Sequence, residues 1–519
     1  MNERTTAEKG KPAQSRKPAQ GGKPTSSGKP AFGRGPAQSG KPAPNGKPAF
    51  GRGPGQGGKS VSSGKPAINR GPAPMEGLAA RRTALKVIRQ VTEDGAYASL
   101  ALDAALKNSG LNSADRRLVS RLVYDTLDRL IWIDYALAQV MARPDTDIKL
   151  RNILRLGACQ ILVEDRIPES AATNLCVQLC TENGMPGLKG VCNGILRNLI
   201  RQKDELVFPD PETDPEQAAS IRYGVPGWIW RRLREDYGDE AEEILQYRNK
   251  DEGWLLRPNL TKIDDAGFEA LLDRKIWQKE KNILPHAWKI SGAMDISRDA
   301  DYLQGHFSIQ SGGSMLACLA MDVKRGQQLL DCCAAPGGKT CYMAEMMNGT
   351  GRIQAWDVHE HRTELIQAQA RRLGLENIRP MVRDATKPRE ELAGTMDGVL
   401  LDAPCTGLGF MAQKPDLKLR VSEESLGELT ELQAKLLDTV SAYVKPGGTL
   451  VYSTCSVLKD ENERQAEAFL QRHPEFEETD LPKTVPEQYR KRKGRGLQLL
   501  EHRDGVEGFY LIRLRKKDD

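Results

Sequence analysis

The sequence predicts an α/β chain: a doubly wound parallel sheet at its C-terminal end, an all-α region before it, and a disordered tail in front. Three observations carry this. Residues 306–519 alternate short apolar runs with helical stretches. Residues 76–208 hold apolar side chains at helical spacing with few strand signals. Residues 1–75 repeat glycine, lysine and proline with little apolar content.

The tail repeats "GKPA" and "AFGRGP" and carries nine lysines and five arginines against two glutamates, +12 in all. The chain as a whole is +6, so everything after the tail sums to −6. Burial of so few apolar groups does not offset chain ordering, so disorder is expected. Lysines spaced by glycine and proline suit either a loose, salt-sensitive RNA tether or a solubilising extension.

In the all-α region, Leu85, Ile88 and Val91 share one helical face, as do Val119, Leu122, Val123, Leu127 and Leu130. Residues 209–305 read as a connecting α+β subdomain, with the polar linker "PDPETDPEQ" and then Trp228, Trp230, Arg231 and Arg232. Aromatic and basic residues so interleaved suit RNA contact, although tryptophan at helical spacing also suits a core.

The ten cysteines are spread along 519 residues, unlike a small disulfide framework, and reduced thiols are expected. Cys176 and Cys180 lack a second Cys or His pair for zinc, so no metal is expected. No apolar stretch is long enough to cross a membrane, and "MNERTTAEKG" does not read as a secretory signal. A cytoplasmic monomer is the expectation.

Within 306–519 the apolar runs "QQLLDC", "RIQAWD", "NIRPMVRD", "DGVLLDAP" and "GTLVYSTC" read as five strands. Ligands of such Rossmann-like sheets bind beyond the carboxyl ends of the strands. After the first run comes Asp331-Cys332-Cys333-Ala334-Ala335-Pro336-Gly337-Gly338-Lys339-Thr340. It is not a phosphate-binding P-loop, which needs glycine where Cys333 stands. Its small residues still allow a ligand close to the backbone. Asp331, Asp357, Asp384 and Asp402 close four successive runs, and the GxGxxG pyrophosphate fingerprint is absent. A nucleoside cofactor without that fingerprint points to S-adenosylmethionine, with Asp357 on the ribose and Asp384 on the base.

Cys405 and Cys455 end the fourth and fifth runs, which are neighbours in the usual strand order of such sheets. Two thiols facing a methyl donor suit a ring carbon that is not nucleophilic by itself, such as carbon 5 of cytosine. A thiolate added to carbon 6 makes carbon 5 electron-rich. Geometry of this kind does not say which cysteine attacks.

The motifs "CAAPGGKT", "DAPCTGLG" and "YSTCS", in this order, closely resemble those of the RNA (cytosine-5) methyltransferases. "HFSIQSGGSMLA", with Gln310 and Ser314, "KPDLKLR" and "DGVEGFYLIRL" match further segments of that family. Residues 76–208 resemble a NusB-like RNA-binding domain, and the fusion resembles the RsmB-type branch, which modifies one cytosine of 16S rRNA. The resemblance implies Cys455 as nucleophile, Cys405 as the residue assisting product release, and Asp402 as a hydrogen-bond partner of cytosine. It also implies S-adenosylmethionine on Cys333, Ala334, Ala335, Pro336, Gly337, Gly338 and Lys339, with Asp357, Asp384 and Asp402. Lys339 or the geometry imposed by the bound RNA would lower the thiol pKa, and the sequence does not say which. The basic run Tyr489 to Arg495 is an expected RNA contact or an exposed loop. Competing readings are the same chemistry on tRNA and a non-catalytic RNA-binding assembly factor.

Overall fold

The computed structural model describes residues 76–107, 109–248, 253–292, 296–490 and 494–518. The tail at 1–75 lies outside these, as do residues 491–493 of the basic run. Helices run from Leu78–Thr92 to Lys189–Gln202 in the N-terminal region. Leu85, Ile88, Val91, Val119, Leu122, Val123 and Leu127 are buried together in its core, as their spacing predicts, and Leu130 is half-buried. Helix starts are set by short polar side chains: Asn112 accepts from the Asp115 N–H at 2.8 Å and Asp147 from the Lys149 N–H at 2.8 Å.

Three short helices follow, Pro215–Tyr223, Gly227–Tyr237 and Glu240–Gln246. Then comes a four-stranded antiparallel sheet of β1 (Gly253–Pro258), β2 (Gln278–Lys281), β3 (Trp288–Ser291) and β4 (Phe307–Ile309), in the order β2-β3-β1-β4. Arg257 of β1 ties this sheet to the next layer. Its Nε donates to Gln310 at 2.7 Å, it pairs with Glu345, and its guanidinium lies 4.1 Å from the Tyr342 ring centroid.

The large sheet contains β5 (Gln328–Asp331), β6 (Arg352–Asp357), β7 (Ile378–Val382), β8 (Met396–Asp402), β9 (Val444–Thr454), β10 (Phe476–Glu478), β11 (Leu497–Leu499) and β12 (Phe509–Lys516). Its order is β10-β12-β9-β8-β5-β6-β7, with β11 beside β12. The five strands read from the sequence are parallel, and β8 and β9 are adjacent. β10, β11 and β12 form an antiparallel flank that strand-length apolar runs alone do not reveal. β8 is buried along most of its length because helices cover both faces, hence its unbroken apolar run.

The segment Lys414 to Arg420 clasps the helical region to the sheet region. Lys418, nearly inaccessible, donates to the Asp128 carboxylate at 2.7 Å and to the Asp128 carbonyl at 3.0 Å. Asp416 accepts from the Ala98 N–H at 3.1 Å, and the Arg420 guanidinium lies 4.0 Å from the Tyr97 ring centroid.

Candidate active site

The site is built where β5 to β9 end. β8 and β9 pair in parallel with Asp402 opposite Ser453, so the loops that follow them leave the sheet side by side. That register brings Cys405 and Cys455 together: their sulphurs are 3.2 Å apart and both residues are half-buried. Cys405 is pushed well above the ordinary thiol range, first by the hydrogen bond it shares with Cys455, then by burial.

Beside the sulphurs, Asp402 receives Lys339 Nζ on Oδ2 at 2.6 Å and the Ser453 hydroxyl on Oδ1 at 2.7 Å. Burial opposes the charge of Lys339, but the carboxylate of Asp402 outweighs it and holds the ammonium above the ordinary lysine value. Lys339 therefore stays protonated and faces the thiol pair, with its ammonium 5.6 Å from the Phe509 ring centroid.

A buried polar layer, which sequence reasoning missed, supports the two cysteine loops. Glu461 accepts from the Thr406 N–H at 2.8 Å and the Thr406 hydroxyl at 2.6 Å. Gln433 donates to Glu461 at 3.1 Å and to the Pro404 carbonyl at 2.8 Å, and so holds the loop carrying Cys405. Asn462 donates to the Ser456 carbonyl at 3.0 Å and accepts from Thr454. The Gly409 N–H reaches the Cys455 carbonyl at 2.9 Å, and a Cβ on Gly409 would fall 1.8 Å from the Gly508 carbonyl oxygen. Only glycine permits that approach.

The turn Cys333 to Lys339 joins β5 to the helix Gly338–Met346. Gly337 adopts φ +106° and a Cβ there would sit 3.1 Å from Ile366 Cα; a Cβ on Gly338 would meet open space. Cys333 and Ala335 are half-buried, Ala334 is buried, and Pro336 is exposed. Asp357, at the end of β6, is 3% exposed and accepts from the His359 N–H at 3.1 Å, with Arg362 at 3.2 Å. Asp384 lies two residues beyond β7 and is held below the ordinary carboxylate range by hydrogen bonds from Thr386. An open glycine edge followed by carboxylates past the next two strands fits a nucleoside ligand and its hydroxyls. Asp331 points inward instead: it is 1% exposed and takes the Thr340 hydroxyl at 2.6 Å.

Elsewhere the sequence-level candidates are spent on structure. Arg231 pairs with Glu216 and Glu423, and Arg232 with Glu423. Cys176 and Cys180 are fully buried in the helical core. Among the described residues no group of three His, Cys, Asp or Glu side chains converges to hold a metal ion, and no helix is long and apolar enough to cross a membrane.

The parallel sheet, its open glycine turn and the strand-end acids define an S-adenosylmethionine-dependent methyltransferase. Residues 318–515 match the 16S rRNA methyltransferase RsmB/F family, residues 78–201 the NusB family, and residues 225–297 the ferredoxin-like domain of RsmF/B-like methyltransferases. The probable ribosomal RNA small subunit methyltransferase B of Bacillus subtilis is 34% identical over 451 residues, which cover 85% of this chain and all of that one. Ribosomal RNA small subunit methyltransferase B of Yersinia pestis is 31% identical over 445 residues, 84% of this chain and 98% of that one. The crystal structure of PH0851 superposes with a TM-score of 0.72 at 27% identity, over 85% of this chain and 99% of that one. The chain belongs to the RsmB/F family of small-subunit rRNA methyltransferases, which use S-adenosylmethionine.

Proposed function

We propose that the chain methylates carbon 5 of one cytosine in 16S rRNA through a covalent bond between Cys455 and that base. The observation that carries the proposal is the 3.2 Å approach of Cys405 and Cys455 beside the Asp402–Lys339 pair. The turn Cys333 to Lys339, with Asp357 and Asp384, would hold S-adenosylmethionine, which supplies an electrophilic methyl group when bound.

Cys455, as thiolate, adds to carbon 6 of cytosine. An S–C bond forms and the electron pair of the carbon 5–carbon 6 double bond moves onto carbon 5 and into the ring. Asp402 offers the polar edge of the base a carboxylate whose oxygens, though each engaged, have lone pairs left. Lys339, held protonated, offsets the negative charge of the thiolate and then of the ring. The pair on carbon 5 takes the methyl group.

Cys405 then serves release. While Cys455 is free, sharing a hydrogen bond with it is the first cause of the high pKa of Cys405. Once the Cys455 sulphur is bonded to carbon that cause is gone, and the Cys405 thiol is easier to deprotonate than before, although burial still raises its pKa. It loses its proton to solvent and accepts the one leaving carbon 5. The electrons of that C–H bond restore the ring double bond and expel Cys455 as thiolate.

The test is a denaturing-gel assay for a protein–RNA adduct using undermethylated 16S rRNA, S-adenosylmethionine and two variants. Cys405→Ala should accumulate the adduct; Cys455→Ala should give neither adduct nor methylated RNA. Methylation by Cys455→Ala would move the nucleophile to Cys405.

A further inference from the structure

A cavity of about 660 Å³ lies away from the two cysteines, between the helical region and the three short helices that follow it. Trp132, Phe208 and Trp230 line it together with Arg129, Arg222 and Arg234. Phe208 is about half exposed and stacks on Tyr135 with centroids 6.1 Å apart. Glu242 is the acidic residue of the lining, and its carboxylate takes the Tyr223 hydroxyl at 2.8 Å.

We propose that this cavity is a second RNA subsite, which takes a splayed, single-stranded nucleotide of the rRNA substrate outside the methylation site. Three guanidinium groups around aromatic faces match the chemistry of an unstacked base and its phosphates. Arg222 lies 5.5 Å from the Tyr223 ring centroid, and Arg234 pairs with Asp239, which is 95% exposed. A surface pair of that kind gives way readily to a phosphate. The arrangement also resolves how a chain whose sequence after residue 75 is net negative captures RNA: positive charge is concentrated locally.

The cavity is mechanically joined to the cleft. Helix Gly227–Tyr237 presents Trp230 and Arg234 to the cavity, and its last residue, Tyr237, donates to the Val457 carbonyl at 2.6 Å. Asp236 accepts from the Lys459 N–H at 3.0 Å. Val457 is two residues past Cys455. Trp230 and Tyr237 are seven residues apart, about 10 Å of helix at 1.5 Å per residue. A short single-stranded segment spans that distance, so one helix sets the separation between the subsite and the reacting cysteine.

This inference rests on the rRNA substrate and not on which cysteine attacks, so its test is binding. Phe208→Ala/Arg222→Glu is made in the full chain carrying Cys455→Ala, and affinity for undermethylated 16S rRNA is measured by filter binding across a salt series. Affinity should fall about tenfold or more and the salt dependence should flatten, because one stacking face and one phosphate contact are lost. In the chain with Cys455 intact, the double substitution should raise KM for rRNA about as much and leave kcat within about twofold. Arg222→Lys with Phe208 intact should restore most of the affinity. RNA affinity within twofold of the parent, with an unchanged salt slope, overturns the subsite. Equal loss with Arg222→Lys would assign the effect to folding and overturn it as well.

Discussion

The helical region and the β8–β9 cleft both contain cysteines, and the two groups differ in burial and in their polar neighbours. Cys159, Cys176, Cys180 and Cys192 are fully covered and packed among leucine, isoleucine and valine. Burial pushes the Cys159 and Cys176 thiols up to about 12. Cys405 and Cys455 are half-buried, in contact with each other, and backed by Thr406, Ser456, Glu461 and Asn462. Residue type makes a nucleophile possible; the neighbouring charges and hydrogen bonds decide whether its anion is stable. The Lys339 ammonium supplies such a charge in the cleft, whereas in the helical core Cys180 and Cys192 share a hydrogen bond among hydrocarbon side chains.

The largest expected effect follows from that contrast. Cys455→Ala should lower methyl transfer to rRNA by about 1,000-fold or more, since the bond-forming atom is lost. Cys176→Ala should keep kcat within about twofold and cost about 1–2 kcal/mol of stability, by leaving a small cavity. Radiolabelled methyl incorporation and urea unfolding of both variants separate the two outcomes. A Cys176→Ala protein that unfolds normally but has lost methylation would break the comparison.

Glu461→Ala sharpens it from the support side. Removing this carboxylate takes the acceptor from the buried Thr406 N–H and leaves the Thr406 hydroxyl to the Ser456 hydroxyl at 3.2 Å, at a cost of about 2–4 kcal/mol. It also frees the loop that aims Cys405, so the covalent adduct should persist longer than in the parent. Unfolding free energy within about 0.5 kcal/mol of the parent would mean that the polar layer does not hold the loop.

The parallel strands were legible because a strand covered on both faces is written as an apolar run, as in Met396–Asp402. The strand-end residues were legible for the same reason, since an acid or cysteine closing such a run has one place to go. The direction of β12 was not, because Phe509–Lys516 is equally apolar whichever way it pairs with β9. Glu461 was hidden inside "KDENE", which reads as solvated charge until the fold brings it under Thr406. Lys418 was hidden likewise: a lysine in "KPDLKLR" gives no hint that Asp128, 290 residues earlier, closes over it. Local pattern reports burial and spacing, whereas partners distant in sequence are chosen by topology.

The smallest effect contrasts two acids, one from each region. Asp331, under the turn Cys333 to Lys339, is raised to about 7, chiefly by burial, despite the hydrogen bond from Thr340. Asp125, in the helical region, is raised to about 6, again first by burial and then by Glu164. Both start from an unfolded value of 3.8. Each therefore contributes stability that is fully present below pH 3.8 and is lost as pH rises through its folded value. Asparagine has no proton to lose. Asp331→Asn should then gain stability relative to the parent between pH 4 and pH 7, at up to about 1.4 kcal/mol per pH unit. Asp125→Asn should gain less, over the narrower window from pH 4 to pH 6. Melting temperatures from pH 4 to pH 8 read both curves. If Asp331→Asn runs parallel to the parent throughout, Asp331 is ionised in the folded protein, and the turn Cys333 to Lys339 is held by a buried carboxylate rather than by a protonated one.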